Sequence, residues 1–381
     1  MTTLSERAAA GPSTPAPATA RTEQPRPQPG DTDGRTATAW LDLVRVVAIV
    51  AVVVIHVLAP VVETKTTDFG SATWWLADAV NSAMRWSVPV FVMVSGALLL
   101  DPAKSVAVRP FYARRLRRVG IPLAFWTVFY LGFRAVYDAG GISAGEATKD
   151  VLAGSPFLQL YFLFIIVGLY LLTPFLRVLV GAATRRMVAV FAVVMLGMGV
   201  ADQAFSMLVG AGSPNAITRF LPYVGYYVAG WVLRDLRVTR QGVAAAAVAF
   251  VAAWAVIALG TGAVTEAVGW NRTAAYLYGF LSPPVVVMSM AAFVLLRVVG
   301  TRWRAVAAGR GATAVRTLSE LSFGVYLVHP ALLLPARRTV GMPDDPVAMA
   351  ATALALLVGV VLASALITAA LRRVPLLTRT V

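Results

Sequence analysis

The sequence predicts an all-α polytopic membrane protein of about ten transmembrane helices with both termini cytoplasmic. Three observations carry that expectation. Of its 381 residues, 59% are hydrophobic and only 13% charged, and the mean hydropathy is +0.75. The apolar residues gather in stretches of roughly 17 to 25, the length a helix needs to cross about 30 Å of hydrocarbon. The charge is also sorted by side. Most of the 33 Lys and Arg fall in alternate inter-span segments, whereas the segments between hold more acidic than basic residues. By the positive-inside rule the basic segments face the cytoplasm. This sorting accounts for the net charge of +15 and pI near 10.8 without a nucleic-acid partner, so the lipid bilayer is the expected partner.

Residues 1–38 hold many Pro, Thr and Ala and few large apolar side chains, and are expected to form a disordered cytoplasmic tail. No signal-peptide core precedes Trp40, so the first span is expected to be retained. Residues 39–375 are read as one ten-helix transmembrane domain. Its spans are expected near 40–62, 81–100, 120–137, 158–178, 186–207, 217–234, 242–263, 275–298, 318–336 and 347–371. Cysteine is absent, which removes disulfides, Cys metal sites and a Cys-linked thioester intermediate; no metal site and no tightly bound cofactor are expected.

The first span reads WLDLVRVVAIVAVVVIHVLAP and carries Asp42, Arg45 and His56. Arg45 and His56 lie eleven residues apart, close to three helical turns, so they share a face about 16 Å apart along the axis. Asp42, three residues before Arg45, joins that face. An ionisable group costs about 2.5 to 3.5 kcal/mol in a span on insertion scales and persists where something uses it. The plainer alternative makes Asp42 and Arg45 an interfacial pair and His56 a packing residue. In the second span, MRWSVPVFVMVSGALLL, Arg85 lies near the outer end, and Ser95-Gly96 reads as a close helix contact or as part of a site. The ninth span, LSFGVYLVHPALLL, carries Tyr326 and His329. The chain has 2 histidines, and both fall in spans. Nearly all of its 18 carboxylates are expected in the tail, loops or span ends, which counts against a proton-coupled transporter.

Between the second and third spans, Arg114, Arg115, Arg117 and Arg118 would stand as one-turn neighbours on a helix, a double row of guanidinium forks suited to phosphate. Anchoring to anionic lipid is the plainer reading of the same cluster.

Together these residues resemble the acyltransferase 3 family of integral membrane acyltransferases, over roughly residues 40 to 375. The likeness is carried by Trp40-Leu-Asp42-Leu-Val-Arg45 with His56 after ten positions, Arg85 with Val88-Pro89 and Ser95-Gly96, and Arg114-Arg115-Leu-Arg117-Arg118 before Ile121-Pro122. Gly168-Leu-Tyr170, Phe220-Leu-Pro222-Tyr223 and Leu321-Ser-Phe-Gly324-Val-Tyr326-Leu-Val-His329-Pro330 continue it. The resemblance implies a multi-pass cell-membrane enzyme moving an acyl group from acyl-CoA, as co-substrate, to a carbohydrate, cell-envelope glycan or metabolite acceptor. It implies that His56 is catalytic and that Arg114, Arg115, Arg117 and Arg118 hold CoA phosphates. Asp42, Arg45, Arg85, Ser95, Tyr326 and His329 would line the substrate site. The chain departs from the family at Gln159-Leu160-Tyr161, where relatives often carry His-Leu-Trp. The chemistry agrees with the residues: acyl transfer from a thioester needs a base near neutral pH and a donor for the oxyanion. Ser95 lacks an evident neighbouring base, which favours direct transfer over an acyl-serine. The competing reading is a transporter or flippase for a lipid-linked sugar or small metabolite; the halves of the chain show no convincing inverted repeat in its favour. A non-catalytic scaffold leaves the two histidines unexplained.

Overall fold

A computed structural model describes residues 2, 40–63, 68–103, 107–212, 215–306 and 310–381. The expected tail, 1–38, lies outside the described residues apart from Thr2. The described chain is helical throughout, with no strand. Nine of its helical segments are long and apolar enough to cross a membrane. Hydrocarbon leaves backbone polar groups no external partner, and a helix satisfies its own.

Helix α1 (Trp40–Glu63) is 24 residues long and stands at the centre of the bundle. It buries apolar residues around most of its circumference, as expected of a helix enclosed by others. Packed against it are α2 (Ala72–Met84), α3 (Ser87–Leu99), α11 (Pro283–Val306), α12 (Arg310–Val340) and α13 (Pro346–Leu371).

The second span begins earlier than expected. Helices α2 and α3 form one crossing, Ala72–Leu99, interrupted at Arg85-Trp86. The interruption follows from Pro89, whose ring would clash with the carbonyl four residues back, that of Arg85. The Arg85 N–H bonds to the Ser82 carbonyl, tightening the last turn of α2.

The third span is also longer. Helix α4 (Val108–Arg115) runs through a π-helical turn, Leu116–Gly120, into α5 (Ile121–Tyr137). Arg134 then pairs with Asp138 at 3.1 Å and Asp150 at 2.7 Å, tying α5 to the short helix α6 (Ala144–Leu152). Helix α6 starts in a capping box between Ser143 and Glu146, and these bonds hold the Glu146 carboxyl below its ordinary pKa.

Helix α7 (Tyr161–Ala182) and helix α8 (Arg185–Ala204), which ends in a second π turn, are the next two crossings. The expected span at 217–234 is the one that falls short. Pro222 sits in a 3-10 turn, and only the 11 residues of α9 (Val224–Arg234) are α-helical. Helix α9 is nevertheless deeply enclosed, packed on α3 and α8. Glycines permit that fit. A Cβ on Gly96 of α3 would lie 1.7 Å from the Tyr227 carbonyl oxygen, and one on Gly230 of α9 would lie 1.9 Å from that of Met93. Gly96 is therefore a close helix contact, as its small-residue motif allows. Helix α10 (Arg240–Val268) packs on α11, whose crossing begins in a 3-10 turn at Ala274–Tyr278.

Candidate active site

The interior around α1 is built by prolines as much as by polar residues. Proline lacks an N–H, so each one inside a helix leaves the carbonyl four residues earlier without its usual donor. His56 precedes Pro60 by four residues, Arg85 precedes Pro89, Tyr170 precedes Pro174 and Tyr326 precedes Pro330. The consequence is visible at His56: its carbonyl accepts from Arg337 Nη1 of α12 at 3.1 Å. The carbonyl of Ile55 accepts from Asn81 Nδ2 of α2 at 3.4 Å. Two neighbouring helices thus hold the backbone at the turn that bears the histidine.

The two histidines meet. The rings of His56 on α1 and His329 on α12 have centroids 5.3 Å apart and planes inclined by 33°. His329 is 0% exposed, and its Nδ1 lies 3.1 Å from the Val325 carbonyl. A carbonyl only accepts, so Nδ1 carries the proton and neutral His329 presents a bare Nε2, which has no partner. His56 is half-buried.

Arg85, placed at the break between α2 and α3, reaches inward instead of snorkelling. It is 7% exposed, its guanidinium lies 3.8 Å over the Tyr278 ring, and it pairs with Glu63 at 3.7 Å. Its Nε and Nη2 have no hydrogen-bond partner. The charges of Arg85 and Arg337 both bear on His56. Tyr326 donates its hydroxyl to the Gln159 carbonyl, and its ring stands 6.1 Å from His329. Gln159 itself is buried with Nε2 on the Leu327 carbonyl at 3.4 Å and a free Oε1, while Tyr161 lies within the field of Arg85. The segment that departs from the family pattern thus borders the site.

At the other end of the shared face, Arg45 Nη1 bonds Asp42 Oδ1 at 3.0 Å, and Ser319 Oγ of α12 donates to the same oxygen at 2.8 Å. Asp42 fixes Arg45 and joins two helices. Arg118 and Tyr170 are close enough for their charges to bear on Arg45. The arginine cluster does not form the regular double row. The π turn interrupts it: Arg115 folds onto the rings of Phe111 and Tyr170, at 5.4 and 5.3 Å, while Arg114, Arg117 and Arg118 stay exposed. Ser95 donates its hydroxyl to the Phe91 carbonyl at 3.0 Å, so its proton is already committed within α3.

One expectation about the interior is corrected. Asp78, expected in an outer loop, is 0% exposed inside the second crossing. Tyr278 donates to its Oδ1, and Ser82 Oγ lies 3.4 Å from the same atom. The span boundary had been set at residue 81 by apolar content alone. Yet Asp78, Asn81, Ser82 and Arg85 recur at the helical spacing of three, four and seven, the signal of a polar face turned to the interior. A buried carboxylate removes the argument that this bundle lacks one. A surface groove of about 500 Å³, lined by Phe129, Gly132, Phe133, Val136, Tyr137 and Arg338, includes neither histidine.

A multi-crossing helical bundle with two imidazoles in contact and a buried guanidinium in its interior is the class of molecule the fold defines. The chain matches the family model described as Acyltransferase domain over residues 38–369, nearly its whole length, and belongs to that acyltransferase 3 family. It is a multi-pass membrane acyltransferase by that membership. No curated protein and no solved structure matches it.

Proposed function

We propose that this chain is an acyl-CoA dependent O-acyltransferase of the cell membrane. It moves acetyl or another short acyl group to a hydroxyl of a carbohydrate, cell-envelope glycan or secondary metabolite. The meeting of the chain's two histidines, with the charge of the buried Arg85 bearing on His56, is the observation that carries this reading. His56 takes the proton of the acceptor hydroxyl as its oxygen attacks the thioester carbonyl carbon. N–H groups of Arg85 meet the negative charge that develops on the carbonyl oxygen. The carbon–sulfur bond then breaks, and the CoA thiolate leaves with the proton held by His56. His329, through its bare Nε2, orients a hydroxyl for the same step, and Tyr326 shapes that wall.

The donor enters from the cytoplasmic side, where Arg114, Arg115, Arg117 and Arg118 hold the CoA phosphates. Asp42 and Arg45 line the passage inward, and Ser95 lines it without forming an acyl intermediate. Membranes containing the chain, incubated with radiolabelled acetyl-CoA and cell-envelope extract, test the reading. Label is expected in a glycan or metabolite. Transport of a lipid-linked sugar without any label transfer would replace the enzyme reading with that of a flippase.

A further inference from the structure

Two buried oxygens on α2 are left without a donor. Helix α2 presents Asp78, Asn81, Ser82 and Arg85 along one face, directed to the interior. Asp78 and Asn81 are each 0% exposed. Asp78 Oδ1 is occupied by Tyr278, but Oδ2 has no donor; Asn81 Nδ2 is spent on the Ile55 carbonyl, but Oδ1 has none. A buried acceptor oxygen left unmade costs about as much as a lost hydrogen bond, so two within one helical turn are an unlikely accident of packing unless something donates to them.

Their surroundings place them beside the reacting centre. Asn81 holds the carbonyl of the residue preceding His56, and Asp78 is linked through Tyr278 to the ring under Arg85. Asp78 acts on the charge of Arg85 from a distance, while the ion pair of Arg85 is made with Glu63. The atoms left over have one chemical character on this wall: oxygens that accept. Carboxylate and amide oxygens select a group that donates, such as a hydroxyl, against an ether or a bare carbon.

We propose that a hydroxyl adjacent to the one that is acylated shares its single proton between Asp78 Oδ2 and Asn81 Oδ1 in a three-centre bond, so that the acceptor site selects a vicinal diol. This rests on the acyltransferase reading above and adds to it a specificity-determining pair on α2. Arg85 and the histidines act on the reacting oxygen; Asp78 and Asn81 read its neighbour.

The test uses the full chain purified in detergent, radiolabelled acetyl-CoA, and two probe acceptors, cis-cyclohexane-1,2-diol and its monomethyl ether. The ether keeps the oxygen but cannot donate from it. The readout is the ratio of kcat/KM for the two probes, which a general loss of active protein does not move. The wild type is expected to favour the diol about ten-fold or more, as sites that hydrogen-bond a substrate hydroxyl reject the analogue lacking it. Asp78→Ala and Asn81→Ala are each expected to bring that ratio towards one. A wild-type ratio near one, a ratio unchanged in both variants, or acetyl-CoA consumed with neither probe labelled would each overturn the inference. If Asp78→Ala does not yield a folded protein, the wild-type ratio and Asn81→Ala still decide. Absence of all acetyl-CoA turnover, with water as with alcohols, would overturn the acyltransferase reading and this inference together; turnover without discrimination overturns this inference alone.

Discussion

At His329 the helix itself sets the tautomer. The Val325 carbonyl claims Nδ1, and what remains is an imidazole with a bare Nε2, its ring 5.3 Å from that of His56. The same logic of committed and uncommitted atoms sorts the other candidates. Ser95 and Tyr326 have given their protons to backbone carbonyls, whereas Arg85 Nε has no hydrogen-bond partner and Nη2 has only the ion pair with Glu63 at 3.7 Å. Arg114 and Arg118 are exposed and belong to no ion pair among the described residues, which leaves them available to a phosphate. Replacing both with Ala is expected to weaken acyl-CoA binding about 10- to 100-fold, the scale of one to two charge-assisted bonds, with the fold intact. Equilibrium binding of acyl-CoA at low salt checks this, and the difference should shrink as salt screens the charges. Equal affinity in a properly inserted double variant would return the pair to anchoring on anionic lipid. His56, His329 and Arg45 were legible because ionisable groups stand out against Val, Ile and Leu. Asp78 and Asn81 were not, because they lie just beyond the point where the apolar run begins, and only their helical spacing betrays them.

At the scale of elements, prolines and glycines decide where helices touch. Pro60 frees the His56 carbonyl and Arg337 takes it up, joining α12 to α1. Arg337→Ala is therefore expected to cost about 1.5 to 3 kcal/mol in the wild type, as for a bond to a charged group. It should cost clearly less in Pro60→Ala, where the helix supplies its own donor. Thermal unfolding of the four proteins of this cycle in detergent measures the coupling, and additive effects would contradict it. Glycine makes a parallel contrast. A Cβ at Gly96 meets the backbone of Tyr227, whereas one at Gly197 of α8 meets nothing within 4 Å. Gly96→Ala is expected to lower stability by at least about 1 to 3 kcal/mol through overpacking, and Gly197→Ala to be neutral or slightly stabilising. Similar unfolding midpoints for the two would argue against the α3–α9 contact. Apolar length located most crossings, but it could not reveal the π turn within 116–120 or the shortened α9. Those depend on hydrogen-bond register and on Pro222, which a count of apolar residues does not register.

For the whole molecule, the proposed reaction requires one chain to bring a charged, water-soluble donor and an acceptor to a site enclosed by helices. Arg45 near one end of α1 and His56 about 16 Å further along the axis would stand at the two ends of such a path. From the charge sorting the arginine end is expected in the cytoplasm. Single cysteines in this chain, which has none of its own, test that orientation with an impermeant maleimide on intact cells: Ala144→Cys is expected to react and Ala103→Cys to stay protected. The reverse pattern would invert the molecule and move the donor to the opposite face. The mechanism itself is tested most directly by acyl transfer from acetyl-CoA with purified wild type, His56→Ala and His329→Ala, their folding checked by size-exclusion profile. The expected result is a 100- to 10,000-fold fall in turnover for His56→Ala with acyl-CoA binding nearly unchanged, and a milder loss for His329→Ala. Near-normal turnover in His56→Ala beside an inactive His329→Ala would move the base to α12, and normal turnover in both would remove histidine from the reaction.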